Sequence, residues 1–180
     1  MFYQSTEASV IKEGKWDEKS CFVRQGGYDI DVTNLPTGTE YLPKGAPVSI
    51  DTSTGKVALI KTAVAQANAA KDATSLKVLK GHSLIVGDKV AGSTISAIDT
   101  SATGYDTLTI DALGAKVDAD TVVDNGETCI GLVYATVALK GSPTCSVTVQ
   151  AYEIEEDTLP FPLSNSIKTA LTSRHAFKIQ

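Results

Sequence analysis

The amino-acid sequence predicts a mainly β protein: a barrel or sandwich of short strands, with an extended N-terminal arm and one short C-terminal helix. Short segments that alternate apolar and polar residues recur between residues 36 and 152, and Gly, Pro, Asp and Ser residues separate them. Two prolines and a helix-capping serine mark a change of character after residue 153. The length of 180 residues is typical of one domain.

Residues 1–35 are predicted to form the arm. They hold five of the eleven aromatic residues, and mixed charges interrupt any regular apolar period. Gly26 and Gly27 then break the backbone, and only residues 28–32 alternate as a short strand should.

Residues 36–152 are predicted to form one β core domain, because regular short strands at this spacing are typical of barrels and sandwiches. The predicted strands are 46–50, 57–66, 76–79, 83–86, 94–98, 107–110, 121–123, 130–137 and 146–152. The Ala-rich segment 62–73 has helical propensity, but strands flank it, and we expect a strand to residue 66 followed by a loop. Ile50-Asp51-Thr52-Ser53 is echoed by Ile98-Asp99-Thr100-Ser101, and similar turn chemistry explains this more simply than a duplicated β unit.

Residues 153–180 are predicted to form a connector, a short helix and a closing strand. An acidic run at 153–157 precedes an extended Leu-Pro-Phe-Pro-Leu connector. Ser164 is the expected N-cap of a helix over 165–172, and residues 175–179 form the closing strand. The tail after Ser164 is basic, so we expect it to dock on an acidic surface, either the Asp-rich middle of the chain or a neighbouring copy.

Composition argues against several classes of function. The net charge is −5 and 14 of the 16 basic residues are Lys, which argues against nucleic-acid binding. No apolar run reaches the roughly 18–20 residues of a membrane span, and residues 1–15 do not resemble a signal peptide. The three cysteines have no metal-binding spacing, and we expect free thiols in a reducing cytoplasm.

Motifs for catalysis are not found in the sequence. It contains no P-loop, G-x-G-x-x-G, H-E-x-x-H or G-x-S-x-G pattern, and we predict no catalytic residue, cofactor or metal. An enzyme using Cys129 or Cys145 with His82 is one alternative. Calcium is another, because acids cluster in the middle of the chain, although solvated turns explain the same residues. These acids are Asp99, Asp106, Asp111, Asp118, Asp120, Asp124 and Glu127.

Aromatic residues of the arm are the candidates for contact with a protein partner. We select Trp16, Phe22 and Tyr28, because aromatic side chains dominate the energetics of protein interfaces. Packing of Trp16 onto the chain's own β core is an equal alternative.

The core segments resemble the head fibre and head decoration proteins of tailed bacteriophages. The similar segments are Leu42-Pro43-Lys44-Gly45-Ala46-Pro47-Val48, Val48-Ser49-Ile50-Asp51, Val78-Leu79-Lys80-Gly81-His82, Val86-Gly87-Asp88, Ile98-Asp99, Asp106-Thr107-Leu108 and Thr158-Leu159-Pro160-Phe161-Pro162 with Ile167-Lys168 and Leu171. They extend over residues 33–180 and are patterns of turns and strands. The long fibres carry a coiled coil or distal domain that is not seen in these 180 residues, so we expect a short fibre, a base on which other proteins build, or a decoration protein.

The resemblance implies a non-enzymatic virion protein that is assembled in the host cytoplasm. It would bind the major capsid protein or other head proteins on the capsid surface, as a homo-oligomer for which a trimer is favoured and a dimer is possible. The alternative is a glycan-binding, adhesive β module. The exposed aromatics available for a sugar in the β region are Tyr41, Tyr105, Tyr134 and Tyr152.

Overall fold

A computed structural model describes residues 11–24 and 27–178 and shows a mainly β fold with a curled, half-barrel sheet. The strands are β1 Lys15–Val23, β2 Tyr28–Asp29, β3 Tyr41–Leu42, β4 Pro47–Ile50, β5 Val57–Leu59, β6 Thr62–Val64, β7 Ser75–Leu79, β8 Lys89–Val90, β9 Ser93–Asp99, β10 Tyr105–Ile110, β11 Val122–Asp124, β12 Gly131–Leu132, β13 Val137–Ala138, β14 Thr144–Cys145, β15 Thr148–Glu155 and β16 His175–Phe177. One α-helix, α1 (Asn165–Leu171), and two 3₁₀ turns, Val32–Asn34 and Glu156–Thr158, complete the elements. The predicted mainly β fold with one short C-terminal helix is confirmed.

The strands form two lobes, one inserted into the other. The inserted lobe, residues 62–124, contains the sheet β7-β10-β9-β8 and the pair β6–β11 around one hydrophobic cluster. The base lobe, residues 11–60 and 125–178, contains the sheets β1-β15-β16 and β12-β4-β5 and the pairs β3–β13 and β2–β14, around two further clusters. The chain therefore leaves the base lobe after β5 and returns to it before β12.

Alternation of apolar and polar residues correctly predicts β7, β9 and β10 of the inserted lobe, whereas β8 was not predicted. In β7, Leu76 and Val78 are buried while the residues between them are exposed, and β10 buries Leu108 and Ile110 in the same way. The predicted strand at 83–86 is wrong, since this segment is a loop. The Ile85 amide, which a strand would pair with a neighbour, instead donates to Asp88 Oδ2 at 2.6 Å.

Part of the predicted arm is a strand. β1 pairs antiparallel with β15 from Lys15 opposite Glu155 to Val23 opposite Thr148, with three register shifts between them. Between Asp17 and Phe22, β1 advances five residues while β15 advances two, from Tyr152 to Gln150. This irregularity removes from the sequence of β1 the period of two that would have identified it. Residues 15–23 therefore belong to the base lobe, whereas residues 1–10 of the predicted arm lie outside the described residues.

The C-terminal tail closes the base lobe as predicted up to residue 178. The Ser164 hydroxyl accepts a hydrogen bond from the Ile167 amide at 3.3 Å and caps α1, and β16 then pairs parallel with β15. The acidic surface on which the basic tail docks is the chain's own run at 153–157, because Lys168 pairs with Glu156, and Lys178 with Glu155. Within the described ranges, no helix is long and apolar enough to cross a membrane.

The two echoed turns share one hydrogen-bonding pattern although they lie in different lobes. Asp51 Oδ1 accepts from the Ser53 amide at 2.8 Å, and Asp99 Oδ1 accepts from the Ser101 amide at 3.0 Å. This Asx-turn chemistry accounts for the repeated sequence. The Ala-rich segment contains β6 and isolated bridges at Ala65 and Ala69, and it contains no helix, as predicted.

Candidate partner-contact surface

Trp16 occupies the core of the base lobe. Its side chain is 8% exposed and lies in a cluster with Ile154 and Leu159. The Lys44 ammonium sits 4.3 Å from the centroid of the indole ring and also pairs with Glu18, so that a charged lid covers the ring. Because Trp16 is buried, its side chain is not available for contact with a partner, and its prediction as a contact residue is wrong. It packs onto the chain's own β core, which is the alternative that the sequence left open.

Phe22 is 61% exposed, the highest exposure among the large hydrophobic side chains of the described residues. It lies opposite Gln150 of β15, and Tyr152, which is 42% exposed, follows two residues later on that strand. Directly opposed residues, and residues two apart on a strand, point to the same face of a sheet. Phe22, Gln150 and Tyr152 therefore share the outer face of the sheet β1-β15-β16.

Tyr28 lies beside this face and is only partly available. Its ring is half-buried against the base-lobe cluster that contains Ile30 and Val147, and its hydroxyl accepts a hydrogen bond from Arg24 Nη1 at 2.7 Å. The Arg24 amide in turn donates to the carbonyl of Val147, which anchors this segment beside the start of β15. We refer to Phe22, Gln150 and Tyr152, with the Arg24–Tyr28 pair at one end, as the Phe22 surface.

Hydrogen bonds between side chains and backbone hold β1 against β15 beside Phe22. The Ser20 hydroxyl accepts from the Tyr152 amide at 3.0 Å, and the Gln150 amide side chain donates to the Ser20 carbonyl at 3.3 Å. These contacts hold the bulged segment against β15. The Phe22 surface therefore rests on a backbone that is bonded to the base lobe, which limits the ordering cost of a contact made through it.

The cysteines do not have the environment of a nucleophile. Burial raises the pKa of the Cys129 and Cys145 thiols to about 11, and it also raises the pKa of Cys21, where Glu18 adds to the effect. A thiol with so high a pKa is protonated near neutral pH, whereas the thiolate is the nucleophile. These pKa values argue against the enzyme built on Cys129 or Cys145.

His82 has a partner that the sequence did not indicate. Its Nδ1 accepts from the Leu84 amide at 3.2 Å, so that the neutral ring carries its proton on Nε2, which faces Asp106 Oδ2 at 3.1 Å. Asp106 also pairs with Lys80 at 2.6 Å. Burial is the main cause of the lowered pKa of His82, although Asp106 opposes it. The Lys80–Asp106 ion pair and the neighbouring His82 join the end of β7 to β10, with the Asp106 carboxylate largely buried and Lys80 partly exposed.

Several acidic residues of the middle segment have partners within the chain itself. No group of three or more His, Cys, Asp or Glu side chains within residues 11–24 and 27–178 is arranged to hold a metal ion. Asp99 and Asp124 instead accept hydrogen bonds from backbone amides two residues ahead, and Asp106 is paired with Lys80. Turn formation and ion pairing are the roles that the structure gives to Asp99, Asp106 and Asp124.

The sequence identified Phe22 but did not associate it with Tyr152. The two residues are 130 positions apart, and only the pairing of β1 with β15 brings them to one face. A signal was present in β15, where Gln150 and Tyr152 flank the buried Ala151, but the sequence did not reveal which strand lies beside it. No family model, no curated protein and no solved structure matches this chain.

Proposed function

We propose that this protein is a structural component of a bacteriophage head, a fibre or decoration protein that attaches as a homo-oligomer to the outside of the capsid. Its partners are the major capsid protein or other head proteins. The observation that carries the proposal is the Phe22 surface, where Phe22 and Tyr152 expose aromatic area on one sheet face. Exposed aromatic area of this kind marks sites of protein–protein contact.

The segments that resemble head fibre proteins have structural roles, which supports a shared fold. Leu42 is 1% exposed and Leu159 is 2% exposed, so both pack in the core of the base lobe. Gly45 has a φ of +88°, and a Cβ atom there would lie 3.0 Å from the Cα atom of Gly14. Residues that determine packing and close backbone contacts are those that related folds are expected to share.

The face of the sheet β1-β15-β16 is better suited to association than its edge. β1 is the edge strand, and a free edge invites pairing with another chain. Its three register shifts and the charges of Lys15, Asp17 and Lys19 oppose such pairing, since bulges and charges are devices that protect edges. Association through the Phe22 surface avoids this obstacle.

The solution mass tests the proposed homo-oligomer. We expect size-exclusion chromatography with light scattering to give a trimer, or else a dimer, of the 18.9 kDa chain. Phe22→Ser should shift the mass toward that of the monomer, because it removes the most exposed apolar side chain of the contact. Val86→Ser is the matched control, since Val86 is 58% exposed but lies in the inserted lobe.

The masses of the wild type, Phe22→Ser and Val86→Ser together decide between the possible outcomes. A wild-type oligomer that persists on dilution, is lost in Phe22→Ser and is retained in Val86→Ser supports the proposal. If the wild type and Phe22→Ser have the same mass, the Phe22 surface is not part of the interface between copies. A wild-type monomer at all concentrations would overturn the proposed homo-oligomer.

A further inference from the structure

The inserted lobe exposes one face of its four-stranded sheet. Period-two alternation buries one set of side chains of β7 and β10 in the lobe and directs the other set outward. The pairing of β9 with β10 continues the outward face onto β9. We call this surface the open sheet face. The outward residues that matter below are Lys77, Leu79, Asp99, Tyr105, Thr107 and Thr109.

Strand register places polar groups around an aromatic ring on this face. Tyr105 lies opposite Leu79, and Thr107 lies between Lys77 of β7 and Asp99 of β9. The Lys77 ammonium is 4.9 Å from the centroid of the Tyr105 ring, so both side chains occupy the same side of the sheet. The ring is therefore next to a cross-strand row of ammonium, hydroxyl and carboxylate groups.

The composition of the open sheet face distinguishes it from a protein-binding surface. Its large apolar side chains are Tyr105 and the 41% exposed Leu79, and the other named groups are hydroxyls and one Lys–Asp combination of zero net charge. Cores of protein interfaces are depleted in charged residues, whereas the row through Thr107 contains the charged residues Lys77 and Asp99. Mixed donors and acceptors beside one aromatic ring match a ligand with many hydroxyls and an apolar face.

We propose that the open sheet face binds a neutral saccharide. The C–H groups of a sugar ring pack on the electron-rich face of Tyr105, and Lys77, Thr107 and Asp99 bond its hydroxyls. Lys77 now covers the ring, and its flexible four-carbon stem allows it to move to the ring edge as the sugar arrives. This binding activity is additional to the proposed role in the phage head and does not depend on it.

Asp99 is prepared to accept hydrogen bonds from a sugar. Its Oδ1 is held by the Ser101 amide at 3.0 Å, which fixes the orientation of the carboxylate at the end of β9. That backbone hydrogen bond is the main cause of the lowered pKa of Asp99, so the group is an ionised acceptor near neutral pH. Preorganised acceptors reduce the cost of binding a polar ligand.

An array of immobilised oligosaccharides tests this proposal. The array should include neutral hexose and N-acetylhexosamine chains together with sialylated and sulfated ones. We expect the wild-type protein to bind a subset of the neutral glycans. Tyr105→Ala should weaken that binding by about tenfold, the scale of one aromatic contact, and Thr107→Val should weaken it through loss of a hydroxyl.

Tyr41→Ala is the matched control, because Tyr41 is a 43% exposed tyrosine of the base lobe. It should leave glycan binding unchanged, and circular dichroism should show the same folded spectrum for all three variants. The proposal is overturned if the wild type binds no glycan or only charged glycans. It is also overturned if Tyr41→Ala reduces binding as much as Tyr105→Ala does.

Discussion

At the scale of single residues, burial decides what an aromatic or sulfur-containing side chain does. Trp16 and Phe22 stand six positions apart in one strand, yet one is 8% exposed and the other 61%. Sequence reasoning selected both, because an aromatic residue has the same propensity for an interface and for a core. Only the bulged pairing of β1 with β15 turns one side chain inward and the other outward.

Trp16→Ala should destabilise the protein by about 3–5 kcal/mol, the usual cost of deleting a buried tryptophan. The loss combines transfer free energy with the cavity left beside Leu159. Urea unfolding, followed by circular dichroism, measures this change. Phe22→Ala serves as the control and should change the free energy of unfolding of the monomer little. A Trp16→Ala protein as stable as Phe22→Ala would contradict the core assignment.

Stability should fall between about pH 9 and pH 11 because of the buried thiols. Their ordinary pKa is 9.0, and burial raises the pKa of Cys129 and Cys145 to about 11 in the folded protein. The folded state keeps these protons while the unfolded state releases them, so rising pH favours unfolding across this window. Urea unfolding at several pH values measures the slope, which should be shallower in Cys129→Ala. An equal slope in that variant would contradict the assignment.

At the scale of elements, sequence reasoning succeeds where side chains alternate cleanly and fails where the backbone is irregular. β7 and β10 were predictable because each buries every second residue. β1 was not predictable, because three register shifts disrupt its pairing with β15. The segment 83–86 alternates like a strand but is a loop, because the Ile85 amide donates its hydrogen bond to the Asp88 carboxylate and not to a neighbouring strand.

Gly131 is the position where an element tolerates no side chain. A Cβ atom there would lie 2.1 Å from the Thr148 carbonyl oxygen and 2.7 Å from Val147 Cγ1. Gly131→Ala should therefore lower the melting temperature strongly, with a cost above the roughly 1–3 kcal/mol typical of overpacking.

Gly104→Ala is the control for this substitution, since a Cβ atom there meets nothing within 4 Å. We expect its melting temperature to stay within a few degrees of the wild type. Differential scanning calorimetry compares the two variants. Similar melting temperatures for Gly131→Ala and Gly104→Ala would show that β12 and β15 do not approach each other as described.

At the scale of the whole molecule, the chain is one lobe inserted into another, and a buried ion pair lies near their junction. Lys61 is completely buried where the chain enters the inserted lobe, and its ammonium lies 2.6 Å from Asp88 Oδ2. Sequence reasoning predicted one core over residues 36–152. It had no means of finding the insertion, because pairings such as β4 with β12 join residues more than eighty positions apart.

Asp88→Asn should cost about 3–5 kcal/mol, because it leaves the Lys61 ammonium buried without a counter-charge. The double variant Lys61→Met with Asp88→Asn should recover much of that loss, since the uncompensated charge is gone. Chemical unfolding of the two single variants and the double variant gives the coupling free energy.

The exposed pair Lys116–Asp118 is the control for the buried pair, and Lys116→Met should change stability by less than about 1 kcal/mol. If Asp88→Asn costs no more than Lys116→Met, the buried pair does not stabilise the junction.

The role in a phage head is tested by immunogold electron microscopy of phage particles purified from lysates in which immunoblots detect this chain. Antibodies raised against the purified chain should label the outside of intact heads and leave tails unlabelled. Labelling should disappear when the antibodies are first absorbed with the pure protein. Particles that carry no label on their heads, while immunoblots detect the chain elsewhere in the same lysate, would contradict a fibre or decoration protein.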